Sequence, residues 1–213
     1  MDYRQELIAN AKKMVVPRAK EYVPIGLPQG LKSWLTTSLQ DVGSVSSLQL
    51  VYHGRNVARP GLPLRRVELL AEFESVSMDY HEDWPSVSDA DGRLKVAAKE
   101  IRVDLRKATS FNTGITSADI SIPSKGSYID VNLEVMLPVA RALLLAQETP
   151  IRHFIPVLNG DFVGEGSMGI GASLRVPLTD RVREAGNVKL ELEFNNAAVS
   201  LNDLGVRIDA LNG

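Results

Sequence analysis

The stretch SYIDVNLEVML, residues 127 to 137, decides the class of fold. Apolar residues occupy every second position from Ile129 to Leu137, and mostly acidic or amide side chains lie between them. Successive side chains of a β-strand point to opposite sides of the sheet. The alternation therefore predicts a strand with one buried face and one face in water.

The same period recurs along the chain in RRVELLAEFESVSM (65–78), KEIRVDLRK (99–107) and NVKLELEF (187–194). Shorter candidates, RHFIPVL (152–158) among them, bring the total to about eight to ten strands. The linkers are mostly too short for the crossover helices that parallel strands require, so the pairing is expected to be antiparallel. We expect a mainly β fold, an antiparallel sandwich or jelly-roll-like arrangement, with one or two short helices such as 139–149.

The first 45 residues have a different pattern. Asp2 followed by Gln5 is typical of a helix start, and apolar residues then recur at helical spacing until Pro17. Prolines and glycines between residues 17 and 30 favour an extended path, and a second short helix fits residues 31–39. The sequence predicts a helical and extended N-terminal arm, 1–45, followed by a β-sandwich domain, 46–213.

Composition excludes several classes of function. The 213 residues include no cysteine, which excludes disulfides, thiolate metal sites and cysteine nucleophiles. A formal charge of −2 disfavours nucleic acid as the direct ligand. The N-terminus lacks the layout of a signal peptide, and no apolar run reaches the length of a spanning helix. We therefore expect a chain made in the cytoplasm, without a membrane as its partner.

The glycine-rich stretch VGEGSMGIGASL (163–174) places Gly164, Gly166 and Gly169 in the spacing G-x-G-x-x-G. A dinucleotide site needs a helix to begin at such glycines, because its N-terminus receives the pyrophosphate. The residues that follow alternate like a strand, so we reject that site and expect no cofactor. The glycines are interpreted as allowing a turn, a bulge or a close contact, including a contact between subunits.

Acidic residues concentrate in DYHEDWPSVSDADGRL (79–94), which the pattern places in a loop between strands. Asp89 and Asp91 resemble a fragment of a calcium loop, since hard cations prefer carboxylate oxygens. Hydroxyl-rich TSFNTGITS (109–117) is interpreted as a long loop. Strand carboxylates such as Glu72, Glu74, Asp104 and Glu134 could in principle flank a glycosidic bond, but no catalytic constellation stands out and we predict that the protein is not an enzyme.

The C-terminal stretch GASLRVPLTDRVREAGNVKLELEFNNAAVSLNDLGVRIDAL (171–211) resembles the closing strands of jelly-roll sandwiches. Carbohydrate-binding modules end in this way, and so do jelly-roll subunits of virus particles. Together with the N-terminal arm, the pattern resembles bacteriophage virion subunits. The resemblance implies a partner surface on the arm and assembly into a particle.

The leading hypothesis is a structural protein that self-associates, as a capsid, cement, connector or tail subunit of a bacteriophage virion. Its expected partners are copies of itself and other virion proteins. The residues expected at subunit contacts are Tyr3, Leu7, Met14, Trp34, Gly164, Gly166 and Gly169. The alternative is a carbohydrate- or calcium-binding β-sandwich module with a metal at Asp89 and Asp91.

Overall fold

The computed structural model describes residues 4–22, 29–55, 65–97, 100–123, 128–154, 160–177, 187–202 and 205–211. The strands are β1 (Arg4–Val15), β2 (Ser44–Arg55), β3 (Arg65–Met78), β4 (Val87–Val96), β5 (Glu100–Ser110), β6 (Thr113–Pro123), β7 (Tyr128–Pro138), β8 (Phe162–Pro177), β9 (Asn187–Leu201) and β10 (Val206–Leu211). The helices are α1 (Val16–Ala19), α2 (Gln29–Ser38), α3 (Val139–Glu148) and α4 (Ile151–Phe154), with a 3₁₀ turn at Lys20–Tyr22.

All ten strands belong to one antiparallel sheet, and their order in the sheet is their order along the chain. The predicted class, mainly β and antiparallel with about eight to ten strands, is confirmed. The arrangement differs from a jelly roll in one respect. Each strand pairs with its neighbours in sequence, whereas a jelly roll has connections that cross from one sheet to another.

Cross-strand register keeps one face of this sheet apolar. One row of partners crosses β1 to β9 and is apolar at every strand: Met14, Val45, Phe73, Gly92, Leu105, Ala118, Leu133, Ala172 and Leu190. A second row crosses the same strands and is polar throughout: Lys12, Ser47, Glu72, Arg93, Asp104, Asp119, Asn132, Ser173 and Lys189. The alternation read from the sequence therefore separates two faces of one sheet.

The predicted helix at the N-terminus is wrong, because Arg4–Val15 forms strand β1. This strand pairs with β2 from Arg4 opposite Arg55 to Val15 opposite Ser44. The apolar residues of this segment fit both a helical and a strand period. A short isolated helix is marginal in water, whereas the edge of the sheet offers a long ladder of backbone partners. Residues 4–15 therefore belong to the same sheet as strands β2 to β10.

Three further expectations about loops and strands are corrected. The long loop expected at 109–117 is a hairpin between β5 and β6, whose two turn residues, Phe111 and Asn112, have φ of 52° and 54°. Two successive positive φ values are those of a type I′ turn, which matches the twist of paired strands. The acidic loop expected at 79–94 ends at residue 86, where β4 follows. The strand expected at 152–158 begins as helix α4, and residues 155–159 lie outside the described part.

Two predicted helices are confirmed, namely α2 and α3. Helix α3 packs against β7, β8 and β9, and Val139 at its start is almost fully buried. Its buried neighbours are Leu137, Met168 and Ala197. At the other end of the sheet, Val16 of α1 is buried next to β1 and β2. Short helices thus pack at both ends of the sheet.

A glycine in the apolar row provides a test of the packing. A Cβ built on Gly92 would clash with the carbonyl oxygen of Asp104 and would lie 2.8 Å from Cζ of Phe73. We predict that Gly92→Ala destabilises the protein by about 1–3 kcal/mol, because backbone and ring must move apart. Thermal unfolding is the measurement, and a loss of roughly 2–4 °C per kcal/mol is expected.

The matched control is Gly169→Ala in the interior strand β8. Its Cβ would meet Glu193 Cβ at 3.5 Å, which is ordinary van der Waals contact. We expect this variant to unfold close to the wild-type temperature. Equal stability of the two variants would show that the close approach at Gly92 is absent.

Candidate functional site: the apolar face and the free edges of the sheet

The apolar face is the most extensive chemical feature of the described residues. A buried cluster on strands β1 to β6 comprises Met14, Val45, Leu48, Leu69, Ala71, Val96, Ile101 and Ile122. Ile101 of β5 is only 2% exposed. Burying such side chains is worth about 1.5–3 kcal/mol each. The cluster is therefore a major source of stability for a sheet that has one apolar face.

Burial is less complete elsewhere on this face. Leu105, Leu133 and Leu190 in the apolar row are half-buried, and Leu192, two residues further along β9, is 46% exposed. Leu192 pairs with Ile170 and so lies on the apolar side. The described part of the chain thus leaves some of its apolar face accessible.

The two outer strands also expose large apolar side chains. On β1, Leu7 and Ile8 are 59% and 52% exposed. On β10, Val206 and Ile208 are exposed to a similar extent. Among the described residues each of these strands has a hydrogen-bonded neighbour on one side alone. The outward side of an edge strand presents unpaired N–H and C=O groups, which can bind another strand.

The opposite face is polar and carries cross-strand ion pairs. Arg93 Nε lies 2.9 Å from Glu72 Oε1, and Arg175 Nε lies 2.6 Å from Asp130 Oδ1. The Arg175 guanidinium is also 5.8 Å from the centre of the Tyr128 ring. Water screens these exposed ion pairs, so they add little to stability. Their main effect is to favour this face as the one that contacts solvent. A shallow cavity of about 200 Å³ lies across β6 to β9 and is lined partly by Asp119, Asn132, Ser173 and Lys189.

Two carboxylates oppose each other on the polar face. Asp104 of β5 is the cross-strand partner of Asp119 of β6. Partial burial raises the pKa of Asp104, and the hydrogen bond and charge of Asp119 raise it further. Like charges on paired strands destabilise the pair when both are ionised. The pair is therefore a source of strain at neutral pH.

Comparison with protein families places the chain. The model of the YhdP family, described as YhdP protein, matches residues 4–213. The chain belongs to the YhdP family. No curated protein and no solved structure matches the chain. The family match spans every described strand, so the apolar face and both free edges lie within the matched region of this YhdP-family chain.

The candidate metal residues lie on a strand of this YhdP-family sheet. Asp89 and Asp91 belong to β4, where Asp89 has a φ of 50° and the register shifts. Asp91 Oδ1 accepts a hydrogen bond from the Ser75 amide at 2.8 Å. Within the described ranges no group of three or more His, Asp or Glu side chains is placed to hold a metal ion. The geometry thus gives Asp91 a role in joining β3 and β4.

The residues expected at subunit contacts are scattered. Tyr3 lies outside the described residues, and Trp34 lies in α2, with its side chain also outside them. Leu7 is on the exposed edge strand β1, whereas Met14 is buried in the core. Lys13 lies between the exposed Lys12 and the buried Met14 and has a φ of 52°. This backbone conformation lets the side chains of the strand change from one face of the sheet to the other.

The glycines lie in β8, between β7 and β9, and two of them have clear roles within the chain. A Cβ on Gly164 would meet Val139 Cγ1 at 2.5 Å, so this glycine lets α3 approach the sheet. Gly166 has a φ of 80°, at the point where the register with β9 shifts. As expected from the sequence, no helix begins at the glycines. The strand that was expected only after them, from residue 171, begins earlier, at Phe162, and runs through all three.

Sequence reasoning missed Ile8, Val206 and Ile208 at the free edges. Two adjacent apolar residues, Leu7 and Ile8, are compatible with an amphipathic helix. The local pattern therefore does not indicate that Ile8 lies on an edge strand. No feature of the sequence distinguishes an edge strand such as β10 from an inner one. The described residues also include no helix long and apolar enough to span a membrane.

The carboxylate pair gives a pH-dependent prediction. The pKa of Asp104 is higher in the folded protein than in the unfolded chain. Its contribution to the free energy of unfolding is therefore fully present below its pKa in the unfolded chain, and is lost as the pH rises through its pKa in the folded protein. We predict that Asp104→Asn raises the unfolding temperature at about pH 7 by up to about 2–4 °C, with a smaller gain at about pH 3.5. Differential scanning calorimetry at both pH values measures the change.

Asp130→Asn is the control, since it removes a carboxylate that is paired with Arg175. This variant should show no gain at neutral pH. A gain for Asp104→Asn that is the same at both pH values would contradict the electrostatic origin.

Proposed function

We propose that this YhdP-family chain is a non-enzymatic structural protein that self-associates through the edges of its sheet. The observation that carries the proposal is the exposure of large apolar side chains on both outer strands, Leu7 and Ile8 on β1 and Val206 and Ile208 on β10. Monomeric proteins commonly protect an edge with charges, prolines or a covering segment. Exposed apolar edges of this kind favour pairing with another strand.

The topology supports the same proposal. In the described sheet the outer strands, β1 and β10, each have one hydrogen-bonded neighbour. An antiparallel strand can be added beside either of them, and the alternation of side chains then extends the apolar face without interruption. Association by this route produces a longer sheet with the same two-faced character.

Assembly in a bacteriophage virion, as a capsid, cement, connector or tail subunit, is the narrower form of this proposal. It is supported by the mainly β class and by the exposed edges. The family description does not mention an assembly. Association in solution is therefore the first property to measure.

The edge proposal predicts concentration-dependent oligomers. Replacing Ile8 by lysine places a charge that pairing would desolvate, so we expect Ile8→Lys to weaken association by about ten- to hundredfold. Sedimentation velocity over a range of concentrations measures this. Val42→Lys is the control, because Val42 is equally exposed, at 53%, but lies outside the strands. A wild-type chain that stays monomeric at all concentrations would overturn the proposal.

A second proposed function is binding of a long apolar molecule, such as the acyl chain of a lipid, on the apolar face. The apolar row crosses nine strands. With strands about 4.8 Å apart, the row is roughly 38 Å long, which suits an extended chain better than a compact ligand. Partial exposure of Leu105, Leu133 and Leu192 leaves the face accessible to such a molecule.

Titration with a fluorescent fatty acid tests this second proposal. Leu192→Gln should weaken binding by about three- to tenfold, because it replaces apolar contact by an amide on the apolar face. The adjacent Glu193→Gln lies on the opposite face and should bind like the wild type. Equal affinities in the three proteins, or no saturable signal, would exclude the apolar face as a binding surface.

Binding of a glycan or of calcium at Asp89 and Asp91 stays an alternative proposal. Asp89 is exposed on β4. The engagement of Asp91 by the Ser75 amide, at 2.8 Å, leaves one of its carboxylate oxygens for other partners. The free edges of the sheet are the stronger basis for a function.

A further inference from the structure

We infer that helix α3 is a fixed cover on the apolar face, and that it confines a bound apolar chain on β7 to β9 to the strip formed by Leu133, Leu190 and Leu192. The inference rests on the second proposed function, binding of a long apolar molecule, and identifies where on the face that molecule lies. Three observations support it: the residues that α3 covers, the change in exposure along β9, and the contacts that hold α3 in place.

Helix α3 already occupies part of the apolar face. Val139, Ala142 and Leu143 of the helix belong to or pack against one buried cluster with side chains of β7, β8 and β9. Two neighbouring cross-strand rows are covered in this way: Leu137, Met168 and Phe194 form the first, and Val135 and Ile170 belong to the second. The helix thus supplies the apolar contacts that a ligand would otherwise make with these rows.

Exposure along β9 shows where the cover ends. Phe194 is half-buried, whereas Leu192, two residues away on the same side of the strand, is 46% exposed. Leu192 is the partner of Ile170 in the second row. Leu133 and Leu190, in the next row, are half-buried and belong to neither buried cluster of the described residues. The edge of the cover therefore lies between Ile170 and Leu192, and the strip beyond it is accessible.

The start of α3 is held tightly against the sheet. A Cβ built on Gly164 would lie 2.5 Å from Cγ1 of Val139 and 3.0 Å from the amide nitrogen of Ala140, so no gap separates the helix from β8. One turn further on, Nη1 of Arg141 donates a hydrogen bond to the carbonyl oxygen of Phe111, in the β5–β6 turn, at 3.3 Å. The first turn of the helix is thus attached to two other parts of the chain.

The other end of α3 is anchored as well. Nε2 of Gln147 donates a hydrogen bond to the carbonyl oxygen of Gly160, just before β8, at 3.1 Å. Thr149, which follows the helix, is only 1% exposed, and its amide donates a hydrogen bond to the carbonyl oxygen of Leu145 at 3.1 Å. Because both ends of the helix are held, a bound molecule is expected to lie beside α3 and not beneath it.

The accessible strip continues past α3 to the neighbouring strands. Leu133 is the partner of Ala118 on β6, which in turn is the partner of Leu105 on β5. Leu105 is half-buried, like Leu133. With strands about 4.8 Å apart, the row from Leu105 to Leu190 on β9 is roughly 19 Å long. An extended alkyl chain suits this strip, because its removal from water is favourable and it needs no polar partner there.

Photocrosslinking tests where the ligand lies. The probe is a saturated fatty acid with a diazirine near its methyl end, and mass spectrometry of the digested protein identifies the labelled residues. We expect labelling within the strip, at Leu133, Leu190 or Leu192, that an excess of the same fatty acid without diazirine abolishes. Labelling of Met168 in the wild-type chain would overturn the fixed cover, because α3 has to move away before a ligand can contact that side chain.

Gly164→Ala tests the role of α3 itself. The added Cβ has to push Val139 away from β8, so the cover opens at the start of the helix and labelling at Met168 should appear. Gly169→Ala is the matched control in the same strand, since its Cβ would lie on the polar face at 3.5 Å from Glu193 Cβ. This control should keep the wild-type labelling pattern.

The outcomes separate this inference from the proposed function. Absence of competable labelling at any residue, or labelling confined to the polar face, would overturn binding on the apolar face and the cover with it. A Gly164→Ala chain that is folded by circular dichroism and keeps the wild-type pattern would refute the cover and leave the binding proposal standing. If Gly164→Ala does not fold, the presence or absence of label on Met168 in the wild-type chain decides the question.

Discussion

The structure depends on cross-strand register, which keeps apolar side chains aligned on one side of a single sheet. A slip of one residue between any two strands would bring polar side chains to the apolar side and apolar ones to water. The rows through Leu133 and through Asn132 show this most directly, since adjacent residues of one strand belong to faces of opposite character. Strands β4 and β5 keep their polar and apolar side chains on opposite faces despite two register shifts near Asp91.

One-sided burial explains why the helices pack at the ends of the sheet. Helix α3 covers the apolar side of β7 to β9, and Gly164 permits its close approach. Helix α1 follows β1 directly and buries Val16 next to β2. Between these ends the described residues supply no second sheet. The same arrangement that stabilises the fold thus leaves apolar surface and two edges for interaction, which is where the proposed functions lie.

The YhdP-family match includes the parts of the sheet on which these proposals depend. The match covers residues 4–213, so all the described strands of the single sheet lie in the matched region. A sheet without crossing connections can be extended at either edge without disturbing its existing pairs. The proposed functions use two separate features of this architecture, namely the outer strands β1 and β10 and the apolar row that crosses β1 to β9.

The sequence by itself determined the class of fold and the side of the sheet on which most residues lie, because a period of two is a local property of each strand. It identified helices α2 and α3 and excluded a nucleotide fold at Gly164. The tertiary structure alone decided that Arg4–Val15 is a strand, since its apolar residues fit two periods and only pairing with β2 selects one. It also decided that Asp104 faces Asp119 and that Ile8 lies at a free edge. Those facts depend on which strands are neighbours, and a single sequence contains no local signal for that.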